Sequence, residues 1–184
     1  MAGSRRVAND PLRKQRILDA ALAVMTEHGV HGTTHRRIAE RAGVPLGSLT
    51  YHFDSLQTII EQAFEHLAET MSHHYRATLE AAPDRRAACA AVTDLICGAE
   101  YATPGDLTLI NEMFAYSNHD EAVAEVGRRW LARSHASLAL HFPEPACRAI
   151  DALIEGWSIH QAVEQKPLDR AMVLATVTAV AAAF

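Results

Sequence analysis

The sequence predicts an all-α protein of roughly nine helices, and three observations carry that reading. Apolar residues recur at helical spacing in almost every segment, capping and helix-ending residues punctuate those segments, and no useful stretch alternates apolar with polar residues as a strand would. The composition agrees, since 184 residues with 49% hydrophobic, 21% charged and a mean hydropathy of -0.05 describe an ordinary globular chain. Fibrous, low-complexity and internally repeated architectures are excluded.

From Pro11 to His28 the residues Leu12, Ile17, Leu18, Ala21, Leu22, Val24 and Met25 keep a helical period, and Gly29 ends the run. Thr33 and Thr34 suit an N-cap, Ile38, Ala39 and Ala42 form a short apolar face, and Gly43 closes a helix of about two turns. Pro45 fits the first turn of a third helix, Leu46 to His52, where its missing N–H costs nothing. Asp54 and Gln57 are spaced as a capping box for a long fourth helix, whose stripe of Leu56, Ile60, Ala63, Phe64, Leu67, Met71 and Tyr75 carries it to about Ala81. Pro83-Asp84 opens a fifth helix to about Tyr101, and Thr103-Pro104-Gly105-Asp106 opens a sixth to about Tyr116. Asn118 with Glu121 caps a seventh, ending near His141. Pro143 and Pro145 then break the chain before two last helices, about Ala146 to Glu164 and Pro167 to Phe184.

Charge divides this chain unevenly. Through Ser55 there are eight basic against five acidic residues, and after it nine against seventeen, so a basic head precedes an acidic body within a net charge of -5. The division suggests a head, 1–55, that meets a polyanion and a body, 56–184, with another task.

The most informative stretch runs from Thr33 to Phe53. A short helix, a glycine-centred turn and a second short helix make a helix-turn-helix, with Ala39 permitting close helix contact, Gly43 taking the turn, and Ile38, Val44 and Leu49 filling the shared core. The pattern T-T-x-x-x-I-A-x-x-A-G-V-x-x-G-S-L-x-Y-H-F, between an amphipathic helix and a long one, resembles the TetR family of bacterial transcriptional regulators. The resemblance covers Arg13 to about Phe64, and beyond it only size and helical layout agree.

That resemblance implies a ligand-responsive repressor. The helix opened by Pro45 would lie in the major groove, with Leu46 and Thr50 toward base edges and Gly47 allowing the backbone close to DNA. Ser48, Tyr51, His52 and Thr34 would donate to phosphate oxygens, Arg36 would read guanine in bidentate fashion, and Arg37 would meet a phosphate. The chain departs from the family pattern at Leu56, where a phosphate-clamping lysine is usual, so Arg5, Arg6 and Arg13 are expected to contribute more.

The resemblance further implies a homodimer through the last two helices, a pseudopalindromic operator, and a small-molecule pocket among the central helices whose occupancy releases DNA. Ile150, Leu153, Ile154, Trp157, Met172, Leu174, Val177 and Val180 make those two helices apolar enough for an interface. His74 projects to the same side of the fourth helix as Ala63 and Leu67, and is expected in the pocket. Tyr101, Glu112, Met113, Tyr116, Trp130, Trp157, His160 and Gln161 are the other candidates, each equally readable as packing.

Other classes are weighed against this reading. His66, Glu69 and His73 at i, i+3 and i+7 offer a two-histidine, one-carboxylate set, so a metal-responsive regulator or a metal-binding helical protein stays open. So does a helical interaction module without DNA binding, prompted by Leu56 and the acidic total. No HExxH, phosphate loop or nucleophile elbow is present, so no enzyme and no cofactor are expected. Cys89, Cys97 and Cys147 fit no metal or redox spacing and read as packed thiols. With neither a signal peptide nor a membrane span in evidence, the expected location is the cytoplasm.

Overall fold

The computed structural model describes residues 12–98 and 103–184, and among these it has nine helices and no strand. They are α1 (Arg13–His28), α2 (His35–Ala42), α3 (Leu46–His52), α4 (Leu56–Glu80), α5 (Arg85–Cys97), α6 (Pro104–Ser117), α7 (Glu121–Leu138), α8 (Glu144–Glu164) and α9 (Arg170–Ala183). The chain divides into two compact units, Met1–Ala63 and Phe64–Phe184. The division falls inside α4, whose first turns, with Ile59, Ile60 and Ala63 buried, belong to the first unit.

Local chemistry sets most helix ends. Thr34 caps α2 by accepting from the Arg37 N–H at 3.3 Å, and Gly43 ends it at φ 64, ψ 35 with its N–H on the Ala39 and Glu40 carbonyls. Thr103 and Asp106 form a reciprocal capping box at the start of α6, with Pro104 in its first turn. Two expected caps move by one or two residues. Ser55, not Asp54, opens α4, its Oγ accepting from the Thr58 N–H at 3.0 Å. Asp120, not Asn118, caps α7 by accepting from the Val123 N–H at 3.0 Å. Asn118 instead turns back, donating from Nδ2 to the Phe114 carbonyl at 3.2 Å and closing α6. In both cases the residue adjoining the first turn can reach the orphan N–H groups and its rival cannot.

Three helices are shorter than their periodicity predicts. Helix α5 ends at Cys97 with Gly98 as its cap, α7 ends at Leu138, and α9 starts only after Asp169, which accepts from the Ala171 N–H at 2.9 Å. His141, beyond the end of α7, bonds through Nε2 to the Leu79 carbonyl at 2.8 Å. That side-chain bond fixes the α7–α8 connection without helix.

In the second unit one apolar core runs through Tyr75 and Leu79 of α4, Val92 and Leu95 of α5, Leu138 of α7, Ile150 of α8 and Val173 and Val177 of α9. Glu65 on α4 accepts from Arg129 Nε at 3.2 Å and Arg133 Nη2 at 2.5 Å, two arginines one turn apart on α7. Burial pushes the Glu65 carboxyl up, but the two arginines outweigh it and hold it below the usual carboxylate range. Cys89, Cys97 and Cys147 are free thiols, raised by burial and so poor nucleophiles. Among the described residues no helix is long and apolar enough to cross a membrane.

Candidate functional site

The first unit builds α2, a tight turn and α3 onto α1. Ile38, Ala39, Leu49 and Phe53 are buried with Ile17, Ala21 and Met25, which fixes the angle at which α3 leaves the core. Val44 is only half-buried, since it sits on the turn itself. Arg41 bonds Glu27 of α1, Arg37 donates to the Gly32 carbonyl, and Lys14 Nζ stands 5.6 Å from the centre of the Phe53 ring. These contacts hold α2 and α3 from behind and leave their outer face to water.

That outer face carries the ten residues the sequence singles out for DNA. Thr34, Arg36, Arg37, Pro45, Leu46, Gly47, Thr50 and Tyr51 are exposed, and Ser48 and His52 half-buried. Leu46 is 53% and Tyr51 80% exposed, a large apolar and a large aromatic side chain left in water on a seven-residue helix. Tyr51 is braced edge-on by His52, with ring centres 4.9 Å apart. Arg36 Nε donates to Glu40 Oε1 at 2.9 Å, and the Thr50 hydroxyl is bonded to the Gly47 carbonyl at 3.2 Å. A Cβ at Gly47 would meet nothing within 4 Å, so the fold itself does not demand glycine there.

The second unit holds a cavity of about 330 Å³ between α5, α6, α7 and α8. Leu95, Ile96, Leu107, Ile110, Trp130 and Ile154 wall it, and Glu155, Ser158 and Gln161 supply its polar atoms. Trp130 and Gln161 are thus the two pocket candidates from the sequence that do line it. Glu112 and Tyr116 are half-buried elsewhere on α6, Met113 is wholly inside the core, Trp157 packs on the main apolar cluster, and His160 is exposed. Tyr101 lies outside the described residues.

His74 is exposed and does not line the cavity. Projecting it onto Ala63 and Leu67 assumes a straight buried stripe, whereas the buried positions migrate around α4 from Ile59, Ala63 and Leu67 to Ser72, Tyr75 and Leu79. At about 100° per residue, His74 falls roughly a quarter-turn from the stripe by the time the chain reaches it. Glu155 is the residue the sequence reading missed. Its signal was present, an acid set among Leu153, Ile154 and Trp157. Burial first, and the charge of Asp151 second, push its carboxyl up to about 7. His66, Glu69 and His73 do not assemble a metal site, and no group of three or more potential ligands does so among the described residues.

Residues 17–63 match the family described as bacterial regulatory proteins, tetR family. A candidate transcriptional regulator from Streptomyces coelicolor A3(2) is 37% identical, with a TM-score of 0.84 over 93% of this chain and 99% of that one. The chain belongs to the TetR family. TetR-family membership makes it a helix-turn-helix transcriptional regulator. It is also similar to the regulator BetI of Serratia proteamaculans, 32% identical over 79 residues, which are 43% of this chain but 40% of that protein. BetI of Burkholderia mallei is 27% identical over 174 residues, 86% of each chain. The multidrug binding protein EbrR, in complex with ethidium, is 26% identical with a TM-score of 0.77, over 92% of this chain and 98% of that one. Against the TetR pattern, Leu56 at the start of α4 is half-buried and brings no charge to the head.

Proposed function

We propose that this TetR-family chain is a repressor that binds a pseudopalindromic operator as a homodimer in the cytoplasm and leaves it when a small organic effector occupies the second unit. The observation that carries the reading is the outward face of α2 and α3, where Arg36, Arg37, Leu46, Thr50 and Tyr51 are all exposed on a rigidly backed helix-turn-helix. Leu46 and Thr50 meet base edges, and Thr34, Arg37, Ser48, Tyr51 and His52 meet phosphates. Arg36 reads guanine after leaving Glu40. Gly47, free of any demand from its own fold, lets the α3 backbone approach the DNA.

Dimerisation through α8 and α9 is supported by the apolar side chains those helices leave in water. Ile159, Val163, Met172 and Phe184 are exposed, Val163 by 78%. Of the residues expected at that interface, Ile150 and Val177 are wholly inside the protomer, while Leu153, Ile154, Trp157, Leu174 and Val180 are half-buried. A two-fold pair of heads then requires half-sites about 34 Å apart. The similarity to a multidrug binding protein complexed with ethidium supports an organic effector, and the cavity beside Trp130 and Gln161 is the place proposed for it.

The test is selection of source-genome fragments by purified protein at two salt concentrations, followed by sequencing of what is retained. Enrichment of one pseudopalindrome, with affinity falling steeply as salt rises, is the expected result. Retention that is salt-insensitive, or that shows no common sequence, would sink the DNA-binding reading.

A further inference from the structure

The cavity of the second unit has an unusual polar balance. Among the described residues that line it, Glu155 alone carries a charge, and none is basic. Its two polar neighbours have their donors turned elsewhere: Ser158 Oγ donates to the Glu155 backbone carbonyl at 2.7 Å, and Gln161 Nε2 donates to the Ile96 carbonyl at 3.2 Å. Among the described residues no side chain donates to the Glu155 carboxyl. Asp151, one turn earlier on α8, is by contrast met by Ser134 Oγ and by His135 Nε2, 3.3 Å away. A carboxylate taken out of water is costly unless a partner neutralises it. The described residues provide side-chain partners for buried Asp151 and none for half-buried Glu155.

We propose that the cavity is a receptor for an organic monocation, a substituted ammonium whose charge meets the Glu155 carboxylate and whose apolar body lies against Ile96, Leu107, Ile110 and Ile154. This deepens, and rests on, the reading of the cavity as the effector site. Trp130 lines the same wall, and an indole is the aromatic group that best attracts a cation. Without a cation the Glu155 carboxyl, pushed up to about 7, holds a proton over much of the neutral range and so remains compatible with apolar walls. A cation displaces that proton. Affinity for a permanent cation therefore falls as pH drops below about 7.

Among the described residues, the other ionisable groups near the cavity are Asp151, with His135 of α7 on it, the Cys97 thiol, with the Asp94–Arg170 ion pair beside it, and exposed Lys166 in the adjoining groove. Titration of any of these changes the field in the cavity for a charged guest more than for a neutral one. An isosteric pair of guests therefore isolates charge from packing, and E155Q isolates Glu155 from its ionisable neighbours.

The probes are benzyltrimethylammonium and its uncharged isostere neopentylbenzene, titrated into the full chain at pH 8 and pH 6, with binding read from tryptophan fluorescence and calorimetry. The cation is expected to bind at least about tenfold more tightly than the isostere at pH 8 and to lose most of that advantage at pH 6, where Glu155 is protonated. E155Q is expected to bring the two affinities together at pH 8 while leaving that of the isostere within about twofold. Equal affinity of both probes for the unaltered chain at pH 8, or a cation preference that survives E155Q, overturns the monocation proposal and leaves the cavity as an effector site for neutral molecules. Binding of neither probe overturns both. The comparison at two pH values uses the unaltered protein and so stands even if E155Q folds poorly. Operator retention without ligand reports separately on the DNA-binding reading.

Discussion

Asp151 of α8 is anchored from α7 by its neighbour Ser134, whose Oγ donates to Oδ1 while His135 stands 3.3 Å from Oδ2. Burial pushes the Asp151 carboxyl up, and the Ser134 bond and the His135 charge offset part of that. Removing the hydroxyl leaves a buried carboxylate short of a donor. Ser134→Ala is expected to lower stability by about 1–3 kcal/mol at pH 8 in urea unfolding. The loss should shrink at pH 5, because the variant's Asp151 takes up a proton more readily. An equal loss at both pH values would mean that Ser134 matters only for packing.

Glu155 makes stability depend on pH with an unusual sign. Its folded-state pKa of about 7 lies above the ordinary 4.5, so the folded chain holds a proton that the unfolded chain has released. Stability therefore falls as pH rises between those values, by up to about 3 kcal/mol from this group. Glu155→Gln is expected to remove that slope and to raise the unfolding midpoint at pH 8. A steeper slope in the variant would place the effect elsewhere, Asp151 being the first alternative.

How much of this was legible in the sequence differs between the two units, for a physical reason. Thr34, Gly43 and the Thr103-Pro104 pair act on backbone groups within a few residues, so α2, its turn and the start of α6 could be read directly. Even the slips from Asp54 to Ser55 and from Asn118 to Asp120 concern which of two candidates within two residues of each other reaches an N–H. The cavity depends on which face of each helix its neighbours cover, and no local pattern carries that. His74 was therefore expected inside and is exposed, and Met113 was expected at a pocket and fills the core. Trp130 and Gln161 do line the cavity, whereas Trp157 and His160, singled out on α8 together with Gln161, do not.

Two glycines four residues apart in the same motif, one closing α2 and one inside α3, separate fold from function. Gly43 sits at φ 64, and a Cβ there would meet nothing within 4 Å, so Gly43→Ala costs backbone strain alone, about 1–2 kcal/mol. Gly47→Ala, with neither positive φ nor a contact, should instead stabilise α3 by about 0.5–1 kcal/mol. Its operator affinity is nevertheless expected to fall about tenfold, because the added methyl meets the DNA the backbone approaches. Thermal unfolding and operator titration of the two variants check both signs, and full affinity in Gly47→Ala would remove the close approach.

Arg36 and Glu40 form an ion pair one turn apart on the exposed side of α2, with 85% of the Arg36 side chain in water. An exposed pair of this kind is worth little to folding, so its weight falls on binding. To reach guanine, Arg36 must exchange the Glu40 carboxylate for base acceptors while Glu40 repels the phosphates. Glu40→Ala is expected to leave stability within about 0.5 kcal/mol and to tighten binding to operator and to unrelated DNA alike, several-fold at low salt and less at high salt. Arg36→Ala should weaken operator binding by about 1–3 kcal/mol and relax preference at one base pair per half-site. In the double variant the gain from Glu40→Ala should shrink, since part of that gain is release of Arg36. A loss in Arg36→Ala that is equal on all sequences would turn this arginine from a base reader into a phosphate contact.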